Sequence, residues 1–367
     1  MVPLATVAIL SIGEMGMGIA KLLVAHNYRV VTNLEGRSQD THARAERASI
    51  EALPSDLSLI TESDYILSIV PPRDAVSIAT RISTAFTSLS TPKKTPLYFL
   101  DLNAVSPRSA RSIGEIFSTK APAITFLDGC IIGSAPTQKL TPTPSTTEAR
   151  QHPKTSLTWS QPSIPISGSV ASVPASFAQL AETLNFKHIS EDVGIASGLK
   201  CCFATVTKGF TALCIQAFTT ASNLGVLPAL IEEMEEKFPA SLKTARYGVT
   251  SMPPKAYRWV KESKFWFPLL VLTEGRKELQ RRKKGRRLAN LTCLTTVEEI
   301  SAAHEEDGGF ESAGKGLFNE IAKVYESVAD DSVLGEEKTE RRKRGLTIED
   351  VAAAMGEGNA AKRKKDA

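Results

Sequence analysis

The chain has 367 residues, with 44 Lys and Arg against 40 Asp and Glu and a formal net charge of +4; 42% of residues are hydrophobic and 23% charged. This composition excludes a disordered chain and describes a globular protein with a full core, and the length makes two domains the natural expectation. The basic excess is local, because eight arginines and lysines and one acid, Glu278, fall within residues 276–287. It does not argue that the whole protein binds nucleic acid.

Five cysteines, Cys130, Cys201, Cys202, Cys214 and Cys293, form no CxxC pair. They read as reduced thiols in a cytoplasmic protein, and no metal site is expected. The N-terminus lacks the basic region and cleavage site of a signal peptide. No stretch qualifies as a membrane span: residues 265–272 are too short and carry Pro268.

In chain order, an apolar run from Val7 to Leu10 reads as a strand. It stops at Ser11, and Gly13-Glu14-Met15-Gly16 leads into a helix from Ile19. Strand, glycine turn and helix in this order open a dinucleotide-binding fold. The backbone must approach a pyrophosphate closely, and the helix N-terminus must aim its N–H groups at that anion. The pattern is S-x-G-x-x-G, with Ser11 where the first glycine usually stands.

Tyr28 to Thr32 reads as the second strand, and Asn33-Leu34-Glu35-Gly36-Arg37-Ser38 follows it. In such folds this strand end meets the adenosine ribose. A carboxylate there suits a free 2′-hydroxyl, and an arginine suits a 2′-phosphate. Arg37 and Ser38 favour NADP, with Asn33 beside them; Glu35 keeps NAD open. Further strands are read at 64–70, 97–103 and 124–129, separated by helices around 75–86 and 106–117. Alternation of this kind implies a doubly wound parallel sheet, an α/β Rossmann-type fold. Ligands then sit beyond the carboxyl ends of the strands, which places Val70, Pro71, Asn103 and the segment from Asp128 on one crevice. Residues 135–163, rich in Pro, Thr and Ser, read as a mobile loop, and 163–168 as a returning strand.

From Gly194 to Leu224 only Lys200 and Lys208 are ionised, which suits a long helix of an all-α domain. Lysines here either snorkel to the surface or serve proton transfer. Eight positions on a helix amount to about 12 Å of rise and roughly 80° of rotation, so the two cannot share one proton. Lys255 to Glu262 and Val297 to Glu305 both look helical. Residues 263–296 match neither, and read as an insertion or a retained intron. The basic cluster inside them admits a localisation signal or a phosphate-backbone patch as alternatives.

Four segments together resemble the β-hydroxyacid dehydrogenase superfamily, which includes 6-phosphogluconate and 3-hydroxyisobutyrate dehydrogenases. Ser11 to Ala20 resembles the family's G-x-G-x-M-G-x-x-x-A, with Met15 in place. Asp101-Leu102-Asn103-Ala104-Val105-Ser106-Pro107 resembles D-x-S-x-x-x-P. Asp128-Gly129-Cys130-Ile131-Ile132-Gly133-Ser134 resembles D-A-P-V-S-G-G. Gly194 to Lys200 resembles the segment before the catalytic lysine. The resemblance implies that Lys200 is the general acid/base, and that Asn103, Gly133, Ser134 and Lys208 contact substrate. Thr207-Lys208-Gly209 resembles a branch carrying the phosphogluconate dehydrogenase-like C-terminal domain, in which Arg258 is a candidate anion contact.

The departures are Ala204, where the family has Asn, Ile132 in place of Ser, and Asn103 in place of Ser. They motivate the alternative, a non-catalytic NADP-binding sensor or scaffold. The primary expectation is an NADP-dependent oxidoreductase of a small hydroxy acid or polar alcohol, a homodimer without membrane or nucleic-acid partners. Its Rossmann domain is expected over 1–190, its helical domain over 191–335 and a charged mobile tail over 336–367.

Overall fold

The computed structural model describes residues 2–142, 155–171, 173–256, 302–304, 306–307, 313–337 and 342–366. The 263–296 segment and Arg258 lie outside the described residues. Two compact units divide the chain, Met1–Lys200 and Cys201–Ala367, so the division falls after Lys200 rather than at residue 190.

In the first unit the apolar run becomes β1 (Thr6–Leu10), buried from Val7 to Leu10. A strand covered on both faces needs no polar alternation, and this one lies mid-sheet. β2 (Arg29–Asn33) and β3 (Glu51–Leu53) pair on one side of it; β4 (Tyr65–Ser68), β5 (Leu97–Asp101) and β6 (Ile124–Gly129) follow on the other, all parallel. An antiparallel ribbon of β7 (Thr137–Pro142) and β8 (Thr155–Ser160) comes next, in register from Thr137 opposite Ser160. β9 (Ile164–Ser167) and β10 (Phe186–Ser190) complete an eight-stranded sheet of order β10-β9-β6-β5-β4-β1-β2-β3.

Two expectations need correction. The sheet is mixed, because β9 runs antiparallel to β6 while β10 is parallel to β9. Among the described residues the chain returns from β6 through the β7–β8 ribbon and re-enters in the opposite sense. The 135–163 segment is also not simply a loop. Thr137, Thr141, Thr155 and Thr158 are β-branched, and they suit the β7–β8 ribbon as well as a polar connection.

Helices cover both faces of the sheet. They are α1 (Glu14–Ala25), α2 (Gln39–Arg47), α3 (Asp56–Glu62), α4 (Ala75–Thr87), α5 (Pro107–Lys120) and α6 (Ala175–Leu184). α1 packs against α6, and α4 packs against both α3 and α5. Successive residues of β5 show the two faces. The ring of Tyr98 meets Tyr65 and, at 6.5 Å, Phe177 of α6; the ring of Phe99 meets Phe117 of α5 at 4.6 Å. Ser55 and Ser106 cap α3 and α5, each accepting from the backbone N–H three residues on at 3.2 Å.

α7 (Ile195–Asn223) begins in the first unit and continues into the second. By length and composition it could cross a membrane, contrary to expectation, but Ala212, Ile215 and Phe218 are buried in a helical core. That core also takes residues from α8 (Leu227–Lys237), α9 (Pro239–Ser251), α10 (Ala313–Asp330) and α11 (Ile348–Asp366). Tyr325 of α10 is fully buried, and its hydroxyl donates to the Lys208 carbonyl at 2.5 Å.

Within the expected mobile tail over 336–367, Ile348–Asp366 is instead an anchored helix. Ile348, Val351, Ala352 and Met355 fall at i, i+3, i+4 and i+7 and are buried in the core. Glu337 accepts from the Lys343 N–H at 2.6 Å and from Arg344 Nε at 2.9 Å, which fixes the approach to α11. The charge of Lys362 to Lys365 obscured this short apolar row. Ile348→Ala should lower stability by about 2–4 kcal/mol in urea unfolding, whereas truncating a side chain in a solvated tail would change nothing measurable.

Candidate functional site

The strand order reverses between β1 and β4, the point beyond whose carboxyl ends ligands bind in sheets of this kind. Ser11 leaves β1 with φ of 76°, a left-handed conformation that the glycine usual at this position would adopt without strain. Gly16 lies so close to that turn that a Cβ would stand 2.4 Å from the Ser11 carbonyl oxygen. A Cβ on Gly13 would meet nothing within 4 Å. Gly13 is the N-cap of α1 and no side chain caps the helix, so its first N–H groups face open space. An open helix start beside a residue without a side chain fits a pyrophosphate. Glu14 is exposed at the first turn, and Met15 is half-buried and packs on the core.

The ribose loop is shaped by Asn33. Its amide donates to Asp56 Oδ1 at 2.9 Å, and its oxygen accepts from the Glu35 N–H at 2.9 Å. Asn33 therefore braces the loop, and Arg37 and Ser38 stand exposed on it. Arg44 of α2 belongs to this site and was not expected from sequence. Its Nε donates to the Ile12 carbonyl at 2.6 Å, and a second guanidinium nitrogen donates to Thr41 Oγ1 at 3.0 Å. Thr41 Oγ1 in turn lies 3.1 Å from Ser38 Oγ. The chain of contacts ties the glycine turn to the ribose loop; no motif in the sequence marks Arg44.

At the ends of β4 and β5, Asn103 has a task other than the expected one. It is 3% exposed. Its Oδ1 accepts from the Val70 N–H at 2.6 Å, and its Nδ2 donates to Ser68 Oγ at 2.9 Å and to Asp101 Oδ1. These bonds fix the Val70–Pro71 turn, so Asn103 is a positioning residue. Val70 is buried and Pro71 exposed at the same edge.

Beyond β6, Asp128 organises the lysine. Its Oδ2 accepts from Ser167 Oγ at 2.9 Å, the Gly194 N–H at 3.0 Å and the Ser197 N–H at 3.1 Å; its Oδ1 accepts from Ser197 Oγ at 2.6 Å. Burial pushes this carboxyl up, and the four donors act against that shift. The result is a remote cap for α7. One turn further on, half-buried Lys200 donates from Nζ to the Ile131 carbonyl at 2.7 Å. Cys130, between the two, is fully buried, donates to the Ala196 carbonyl at 3.2 Å, and has its thiol pushed up to about 12 by burial. Ile132 is held by a backbone bridge to Ser163, and Gly133 (φ 131°) and Ser134 are exposed just after it. Ala204 is buried with Cys201 and Ala303, which fills the space that the family's asparagine would need. Lys208 lies in the second unit.

Residues 6–89 match a family model described as NADP oxidoreductase, coenzyme F420-dependent, and residues 221–262 match a domain of unknown function, DUF1932. No curated protein matches the chain. Among solved structures, the 3-hydroxyisobutyrate dehydrogenase of Mycobacterium tuberculosis with L-serine is 15% identical, with 96% of this chain and 99% of that one covered and a TM-score of 0.55. One from Salmonella typhimurium is also 15% identical, with the same coverage and a TM-score of 0.52. A conserved protein described as structurally similar to 3-hydroxyacid dehydrogenases is 20% identical, with 89% and 97% covered and a TM-score of 0.53. The fold is that of the 3-hydroxyacid dehydrogenases. The resemblance read from the motifs holds at this level, and the 3-hydroxyacid dehydrogenase fold explains why the glycine turn and Lys200 reach the same sheet edge.

Ser11→Gly should raise stability by about 0.5–1 kcal/mol by relieving the left-handed serine. Gly16→Ala should lower it by several-fold more, roughly 2–4 kcal/mol, since its contact is backbone. Paired denaturant titrations check both signs.

Proposed function

We propose that this chain is an NADP-preferring oxidoreductase that interconverts a small hydroxy acid, or a similar polar alcohol, with its carbonyl form. The observation that carries the reading is the tether of Lys200 Nζ to the Ile131 carbonyl, at the sheet edge where α1 starts uncapped. The α1 N-terminus and Gly13 would hold the pyrophosphate, and Arg37 and Ser38 the 2′-phosphate. Val70 and Pro71 would line the nicotinamide half. The bound nicotinamide would supply hydride transfer.

The protein's own task is then proton handling and positioning. Asp128 fixes the first turns of α7, and the Ile131 carbonyl accepts from one Nζ–H, so the amino group is steered rather than left to swing. A lysine so held, as the neutral amine, would bind the substrate hydroxyl and take its proton at Nζ to become the ammonium, and the ammonium would return that proton in the reverse direction. Gly133 and Ser134, exposed beside that carbonyl, are placed to present backbone and hydroxyl donors to a carboxylate. Lys208 and Arg258 remain proposals as further anion contacts. The second reading, a cofactor-binding protein without turnover, draws on buried Ala204, where the usual asparagine is missing.

NADPH at ~100 times its dissociation constant should raise the unfolding midpoint by the equivalent of about 2.7 kcal/mol, with a smaller shift for NADH. No shift with either would remove the cofactor reading. In a hydroxy-acid screen, Lys200→Ala should lower turnover by roughly 10²–10⁴-fold with NADPH affinity unchanged; a wild type that binds NADPH and turns over nothing favours the sensor.

We also propose that the chain acts as a homodimer through α7. Leu199, Phe203, Val206 and Leu213 are exposed at spacings of four, three and seven, positions of a coiled-coil seam, while Phe210 between the last two packs in part on the helical core. Val206 is 70% exposed and Leu213 65%. Val206→Glu should shift the sedimentation coefficient from dimer to monomer; an unchanged value would place the interface elsewhere.

A further inference from the structure

The helical unit contains a solvent-open cavity of 390 Å³ that the oxidoreductase reading does not use. Each of three helices contributes one face to it. Positions 215, 216, 219, 220 and 223 come from α7, positions 320, 323, 324 and 327 from α10, and positions 355, 359 and 363 from α11. Rows at three- and four-residue spacing are the faces by which helices usually pack together. Here only the floor packs that way: Ile215, Val324 and Met355 are buried. Above that floor the facing rows are polar, and they hold a space open.

One of these polar groups lacks a protein partner among the described residues. Thr219 is 6% exposed, and its hydroxyl has no hydrogen bond. Buried hydroxyls are nearly always paired, so this one points to a partner from outside the chain. The side-chain amides of Gln216 and Asn223, both exposed, and of half-buried Asn359 line the same space, where a ligand would meet them in place of water. Gly356 of α11 leaves room for the Asn223 amide, since a Cβ there would come within 2.6 Å of Asn223 Oδ1. Charge is also uneven. Lys323 is paired with Glu320 at 2.5 Å, whereas exposed Arg363 makes no ion pair among the described residues. Among the described residues the wall thus offers one guanidinium not engaged by a carboxylate.

We propose that this cavity binds a small organic monoanion, a carboxylate with an amide or hydroxyl body. Arg363 would receive the carboxylate, since a guanidinium fork matches its two oxygens. Thr219 and the amides of Gln216, Asn223 and Asn359 would bond the polar body, and Ile215 and Met355 would contact its carbon skeleton. The volume lies within the range of small-ligand pockets.

The probe is N-acetylglycinate, a monoanion with one amide and no oxidisable hydroxyl, titrated calorimetrically into the full chain. Saturable binding below ~10 mM is expected in the wild type and in Lys200→Ala. Arg363→Gln, an exposed position that should leave the thermal midpoint unchanged, should weaken it by about tenfold or more. Gln216→Leu should weaken it as well, and it keeps the test open should Arg363→Gln fold poorly. Absence of binding up to ~10 mM would overturn the proposal, as would equal affinity in both cavity variants. Binding lost in Lys200→Ala would overturn it too, by assigning the probe to the lysine. None of these outcomes depends on NADPH binding or turnover, so the oxidoreductase reading stands or falls separately.

Discussion

The Asp128 carboxylate is the contact on which the placement of Lys200 depends. It is buried at the end of β6 and gathers four donors, from β9 and from the start of α7. Two of these are backbone N–H groups that a helix N-terminus leaves unsatisfied. A side chain 66 positions earlier thus does the work of a local cap. Removing it would orphan donors that water cannot reach. The same bonds set the helical phase of α7 and so the direction from which Lys200 meets Ile131. α1 shows the opposite arrangement at the same sheet edge, where no protein group closes the first turn. One helix start is satisfied internally, and the other is left with capacity for an anion.

That open start demands close geometry, and the chain meets it with some strain. The left-handed turn at residue 11 is required so that α1 can fold back over β1, and Gly16 accepts the resulting contact with the Ser11 carbonyl. Ser11 tolerates the turn at a cost of about 1–2 kcal/mol relative to an unstrained backbone. Arg44 compensates from outside, by binding the Ile12 carbonyl in the same turn. The turn is therefore held from three sides: by backbone proximity, by packing of Ile9 near Gly16, and by a guanidinium from α2. A site built this way keeps its shape through its own bonds, which is what repeated binding of a charged ligand requires.

Legibility in the sequence followed the range of the interactions. β1, β2, β4, β5 and β6 were plain, because strands buried on both faces are written as continuous apolar runs. Lys200 stood out because a charge in an apolar helix is rare. β3 and β10 were missed; they are edge strands, largely exposed, and their residues look like loop. The β7–β8 ribbon was hidden by its prolines and threonines. α11 was hidden by the charges at its end, although four apolar residues fix it. Arg44 and the task of Asn103 had no local signature at all. Each is defined by a carbonyl or N–H brought near by the sheet, and only the folded chain juxtaposes them.

α7 carries the largest demand in the molecule. Ala212, Ile215 and Phe218 face the helical core, yet Leu199, Val206 and Leu213 on another side remain exposed. A helix apolar on more than one face implies cover on more than one face. The exposed row has the four–three spacing of a packed seam, whereas scattered surface leucines would have no period. Ala204 fits the same logic from the other direction. Where a polar side chain would be expected beside the lysine, a small apolar one is buried against Ala303. Helical packing has taken over this position.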